Sequence, residues 1–158
     1  MNIRIATELD IPGLLALLRQ VGQVHHDIRP DIFPEHTLKY DENALKGLLK
    51  DKTRPIFVAV DGHFVAGYCF CVHKDYEAGG TSVPRRELYI DDLCVDSAAR
   101  GRGVGEKLYR HVCAWAKAQG FDYITLHVWD FPGSAEPFYR KMGMKNRYFC
   151  MEQSLEEL

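Results

Sequence analysis

Arg100-Gly101-Arg102-Gly103-Val104-Gly105 stands between an apolar run ending in Leu93-Cys94-Val95 and a segment with helical periodicity. Glycines at 101, 103 and 105 carry no Cβ, so the backbone can take left-handed dihedrals and approach a ligand closely. The segment opens a helix, whose first N–H groups have no partner inside the helix. Those donors and the helix dipole together favour an anion at this turn. Net charge is only -2, so no broad field draws polyanions or anionic lipid, and the attraction is local. Arg100 and Arg102 add to it.

Two phosphate-loop patterns are excluded by the residues themselves. A P-loop ends in Gly-Lys-Ser/Thr, whereas Gly105 is followed by Glu106. The dinucleotide fingerprint Gly-x-Gly-x-x-Gly, started at Gly101, meets Glu106 where its last glycine belongs. What remains is Arg-x-x-Gly-x-Gly after a strand.

The rest of the chain reads as alternating short strands and amphipathic helices. Ile3 and Ile5 alternate with polar residues as in a strand. Thr7 to Asp10 resembles a helix cap, Pro12 fits a first turn, and Leu14 to Val21 have helical spacing, with Gly22 as the expected end. Asp41 is placed to cap a second helix through Leu45 and Leu48. Pro55–Val60 and Phe64–Val72 read as strands joined at Asp61-Gly62, a hairpin signal. Lys74 to Arg86 reads as a polar loop and Glu87–Val95 as the next strand. A helix is expected over about Val104 to Gln119, ended by Gly120, then a strand over Phe121–Trp129 and a short helix near Ala135–Met142. The tail from Met144 to Leu155 can supply a last strand. The order β-α-α-β-β-β-α-β-α-β is mixed α/β in one domain over residues 1–158.

Composition narrows the remaining classes. The five cysteines (69, 71, 94, 113 and 150) are odd in number and show no Cys-x-x-Cys spacing, which suits a reducing compartment and argues against zinc. Cys69 and Cys71 share one strand face, where core packing is the simplest role. Apolar runs stay well short of the ~20 residues of a membrane span, and Met1 to Ile5 carries no signal-peptide core. The expectation is a soluble cytoplasmic protein with no metal, no nucleic-acid partner and no membrane contact.

The glycine loop with its preceding Ile90-Asp91-Asp92-Leu93-Cys94-Val95, and the later Phe138-Tyr139-Arg140-Lys141-Met142-Gly143-Met144, resemble two motifs of the GNAT superfamily of N-acetyltransferases. The likeness implies a GNAT fold, a central mixed and mostly antiparallel sheet flanked by helices. It also implies acetyl-CoA as cosubstrate. Backbone of Leu93, Cys94 and Val95 would receive the pantetheine arm, and Arg100, Gly101, Arg102, Gly103, Val104 and Gly105 the pyrophosphate. Tyr139 matches the tyrosine that protonates the departing thiolate. Transfer from a phenol of pKa ~10 to a thiolate whose acid has pKa ~8.5 is feasible within hydrogen-bond reach. Many members carry Asn seven residues before this tyrosine; here that place is Pro132, with Asp130 and Ser134 as nearby polar groups.

The acceptor side is less determined. An alkylamine of pKa ~10.4 is neutral in only about one molecule in a thousand at pH 7.4, so a base must take its proton. Asp91 is the first candidate and Asp92 the second, the stretch Tyr89-Ile90-Asp91-Asp92 being similar to the acidic pair of spermidine/spermine acetyltransferases. On a regular strand the two carboxylates face opposite sides, and only one can enter a given cleft. The segment His25 to Phe33 lies where this fold builds its acceptor wall, with His26, Asp31 and Phe33 as candidate contacts. The reading is acetyl transfer to a primary amine of a small molecule, and it leaves room for a homodimer. A protein N-terminal or lysine acetyltransferase and a non-catalytic acyl-CoA-binding module are the alternatives.

Overall fold

The computed structural model describes every residue from Met1 to Leu158, and its contacts divide the chain into two units, Met1–His127 and Val128–Leu158.

The first unit is built on a five-stranded sheet. Its strands are β1 (Asn2–Ile5), β2 (Ile56–Asp61), β3 (Phe64–Tyr76), β4 (Arg85–Val95) and β5 (Tyr123–Leu126), lying side by side in chain order. The first three pairings are antiparallel and β4–β5 is parallel, the mixed and mostly antiparallel sheet expected. Helix α1 (Ile11–Ile28) and helix α2 (Glu42–Leu48) belong to one face, where Leu14, Leu17, Leu18 and Leu45 join Val58, Tyr68 and Phe70 in a buried cluster. Helix α3 (Val104–Ala118) covers the other face with Val104, Leu108, Val112 and Ala116, which fall on one stripe at helical spacing. Phe57 meets Trp115 of α3 edge-on at 5.2 Å, while its neighbour Val58 faces the α1 side.

Several boundaries differ from the sequence reading, each for a physical reason. Helix α1 does not stop at Gly22 but runs on to Ile28. A Cβ on Gly22 would stand 2.9 Å from the Thr37 carbonyl oxygen, so this glycine serves a close approach of the following segment. The helix ends at Arg29 (φ -135°), the residue before Pro30, where the proline ring disfavours helical backbone. The loop expected over Lys74 to Arg86 is confined to residues 77–84: β3 runs on to Tyr76 and β4 begins at Arg85, and these ends are held by cross-strand pairs such as the Arg85 guanidinium over the Tyr76 ring at 4.0 Å and Lys74 over Tyr89 at 4.1 Å. Polar composition signalled solvent exposure there, not the lack of a strand. β5 is shorter than expected, ending at Leu126.

The second unit contains helix α4 (Glu136–Lys141) and a short 3-10 turn at Leu155–Glu157. Taken by itself, that unit carries no further regular element from Met144 to Ser154. No helix is long and apolar enough to cross a membrane.

Candidate active site

β4 positions the site because its two edges are treated differently along its length. Against β5 it pairs only from Glu87 to Ile90. From Asp91 to Val95 it keeps β3 on one side and has no β5 partner on the other. The chain thus presents peptide groups along Leu93, Cys94 and Val95 that a ligand in extended form can pair with.

At the end of that open edge lies the glycine loop. Asp96 accepts from the Ala98 amide at 2.8 Å and from Gln20 Nε2 of α1 at 2.8 Å, while Gln20 Oε1 accepts from the Ser97 amide at 3.2 Å. This anchor ties the start of the loop to α1. Gly101 and Gly103 both have φ +75°, and Gly103 is the N-cap of α3. Cβ atoms built on them would meet nothing within 4 Å. The loop therefore leaves open space around its glycines at the start of α3, where the first amides have no partner inside the helix, and this fits a pyrophosphate. Arg100 bends its Nε back to the Val95 carbonyl oxygen at 3.3 Å, and the Glu106 carboxylate is held by Arg110 Nε at 3.0 Å. The loop's backbone geometry, more than its arginine side chains, forms the cradle.

The acidic pair is arranged by a bulge. Phe70 pairs with Asp92 and the next β3 residue, Cys71, pairs with Ile90, so Asp91 is the extra residue of β4. The alternation that should send the two carboxylates to opposite faces is broken there. Asp91 Oδ2 accepts from the Tyr40 hydroxyl at 2.7 Å, and Tyr40 stacks on Phe70, the partner of Asp92. Lys39 Nζ lies 3.0 Å from the same Asp91 oxygen and its charge also acts on Asp92. Both carboxylates thus belong to the α1–α2 side of the sheet.

Their environments differ. Asp92 accepts from the Tyr68 hydroxyl at 2.7 Å; burial lifts its carboxyl above the usual carboxylate range, opposed by that hydrogen bond and by the charge of Lys39. Tyr68 is itself raised, by burial and by the Asp92 charge, and stays a phenol donor. Asp91 retains 18% of its side-chain exposure and sits among donors: Tyr40, Lys39 and, through the Tyr40 oxygen, Arg54 NH2 at 3.2 Å. Burial pushes the Cys94 thiol up to about 12, so it is protonated at neutral pH and is a poor nucleophile. Glu87 is buried against Arg85 at 3.2 Å.

Of the acceptor-wall residues, His26 and Phe33 are brought together and Asp31 is not. His26 Nδ1 donates to the Phe33 carbonyl oxygen at 2.8 Å, and Phe33 stacks on His25 at 4.9 Å. The His25 charge reaches Asp92. Asp31 is exposed and bonded to Arg29 at 2.7 Å, a hydrogen bond that holds its carboxyl below the usual range. Tyr40, Tyr68, Lys39, Arg54 and Gln20 escaped the sequence reading. Their partners lie far along the chain, 51 residues for Tyr40 and Asp91, and no local motif marks them.

In the second unit Tyr139 lies on α4, with Phe138 edge-on at 5.1 Å. Pro132 occupies a turn closed by the Ser134 amide donating to the Phe131 carbonyl oxygen at 3.1 Å, and Ser134 Oγ accepts from the Glu136 amide at 3.3 Å.

The sequence profile of the acetyltransferase (GNAT) family matches residues 18–144. The chain belongs to that family. A crystal structure of a mutant of the BH1408 protein from Bacillus halodurans superposes with a TM-score of 0.93 at 30% identity, over 98% of this chain and 99% of that one. Streptothricin acetyltransferase of Streptomyces lavendulae is 28% identical over 90% of this chain and 68% of its own length. Thialysine N-epsilon-acetyltransferase of Sus scrofa is 24% identical over 91% of this chain and 84% of its own.

Proposed function

We propose that this GNAT protein transfers an acetyl group from acetyl-CoA to a primary amine of a small molecule. The observation that carries the reading is the course of β4. One strand supplies an open peptide edge at Leu93–Val95, a carboxylate on a bulge at Asp91 and, beyond its end, the cradle at Gly101–Gly103. Relatives named for acetylating streptothricin and thialysine support a small amine as acceptor. The family match crosses both units, which supports a single acetyltransferase domain.

Acetyl-CoA supplies the activated acyl group as a thioester. The residues that would hold it are the β4 edge and the loop from Arg100 to Gly105. Asp91 is the base: it stands on the bulge of β4, is partly exposed, and is held in place by the Tyr40 hydroxyl, so it can receive a proton from an ammonium. Asp92 is held by the Tyr68 hydroxyl, and burial favours its protonated acid, so it is the second candidate. The carbonyl's developing charge is met by a β4 amide on the open edge. The amine attacks directly, because Cys94 is held as a thiol and offers no acyl-enzyme route. Tyr139 is the acid that returns a proton to the departing thiolate, by its match to the family motif. His26 and Phe33 form part of the acceptor wall; Asp31, neutralised by Arg29, contributes charge only weakly.

The test is thiol release from acetyl-CoA by the purified protein with panels of small amines, and separately with peptides. Release with small amines is expected. Release with peptides alone would reassign the acceptor, and none with either would leave an acyl-CoA-binding module.

A further inference from the structure

We propose that Lys39 is a built-in competitor for the acceptor: its ammonium holds, on Asp91, the place that the acceptor's ammonium must take. This rests on the reading of Asp91 as the residue that receives the amine. The placement is specific. Lys39 Nζ lies 3.0 Å from Asp91 Oδ2, the oxygen that also accepts from Tyr40. The root of the lysine is fixed one residue away, where Tyr40 stacks on Phe70 with ring centres 5.4 Å apart and accepts from Arg54. The arm is not fixed: the Lys39 side chain keeps 43% of its exposure against 18% for Asp91. A half-exposed lysine pair is weak and its arm can swing into water without unfolding anything.

The physics resembles a tethered ligand. A charge on a short arm competes at an effective concentration of about millimolar. A monoamine that offers only its ammonium has to outcompete that tether. An acceptor with further contacts along the wall displaces it and then lies against Asp91. Lys39 thereby acts as a specificity-determining residue that rejects simple amines. A lysine serving only to support Asp91 would have the opposite effect, since its removal would weaken amine binding.

The experiment is an NMR titration of the full chain, without acetyl-CoA, using propylammonium and 1,4-diaminobutane as probes. Lys39→Met should bind propylammonium about fivefold more tightly than the unaltered protein, with Lys39→Arg staying within about twofold of it. Asp91→Asn on the Lys39→Met background should lose that gain. Circular dichroism checks that each variant is folded. Equal or weaker binding by Lys39→Met, no detectable binding to it, or a gain that survives Asp91→Asn would each overturn the proposal. The titration needs no turnover, so an inactive enzyme would sink the acetyltransfer reading while leaving this result readable.

Discussion

The Tyr40 hydroxyl donates to Asp91 Oδ2 at 2.7 Å, joining the segment before α2 to the bulge of β4. Tyr40 is raised well above the usual tyrosine range, by burial first and then by its bond to Asp91, so it remains a donor throughout the working pH range. Asp91→Asn should lower kcat/KM by about 10²–10⁴-fold, the usual contribution of a positioned general base. Tyr40→Phe should lower it by about tenfold, with most of the loss in kcat, because the carboxylate loses its orientation but not its charge. Steady-state kinetics with one amine decides both; an Asp91→Asn enzyme with undiminished kcat/KM would remove Asp91 from the mechanism.

Gly103 separates backbone strain from ligand binding. At φ +75° an added Cβ strains the backbone by about 1–2 kcal/mol, yet it meets no neighbouring atom. Gly103→Ala should therefore fold with a modestly lower Tm. Coenzyme A affinity, measured by calorimetry, should fall at least about tenfold, since the new methyl enters the space beside the helix-start amides. Affinity that drops no more than stability would mean that phosphate does not sit there.

Tyr139→Phe should lower kcat by about 10²-fold, the lower end for loss of a general acid, and leave coenzyme A affinity within about twofold. The two quantities are read by thiol release and by calorimetry. Parallel losses in both would make Tyr139 a binding residue.

Asp92 carries a stability signature. Its folded-state pKa is raised, by burial first, above the unfolded value near 3.8. The native protein therefore holds more protons than the unfolded chain above that value. The stability contribution is fully present below the unfolded pKa and is lost as pH rises through the folded pKa. Asp92→Asn keeps an acceptor for Tyr68 and removes the ionisation. Its Tm should exceed that of the unaltered protein at pH 8, and the gap should close as pH falls toward 4. A gap independent of pH would show that Asp92 ionises without penalty.

The legible parts of this protein were those written in consecutive residues. Gly101 and Gly103 announced left-handed turns at a helix start, and both have φ +75°. Asp41 announced a cap, and its Oδ1 accepts from the Ala44 amide at 2.8 Å. Leu14, Leu17 and Leu18 announced a buried stripe and are buried. Gly22 misled, because a glycine near a helix end also suits close packing against another segment. The two ends of the Lys74 to Arg86 segment misled because charge patterns report exposure, and exposed strand ends are as polar as the loop they flank.

The sequence by itself determined the loop, the helices that flank the sheet and the family, since capping, periodicity and glycine dihedrals depend on neighbours a few residues apart. Tertiary structure alone decided the acidic pair. Whether Asp91 and Asp92 share a face depends on a bulge, and a bulge is a mismatch between the lengths of two paired strands. That mismatch between β3 and β4 brings Asp91 to Tyr40 and Lys39, and leaves Asp92 hydrogen-bonded to Tyr68.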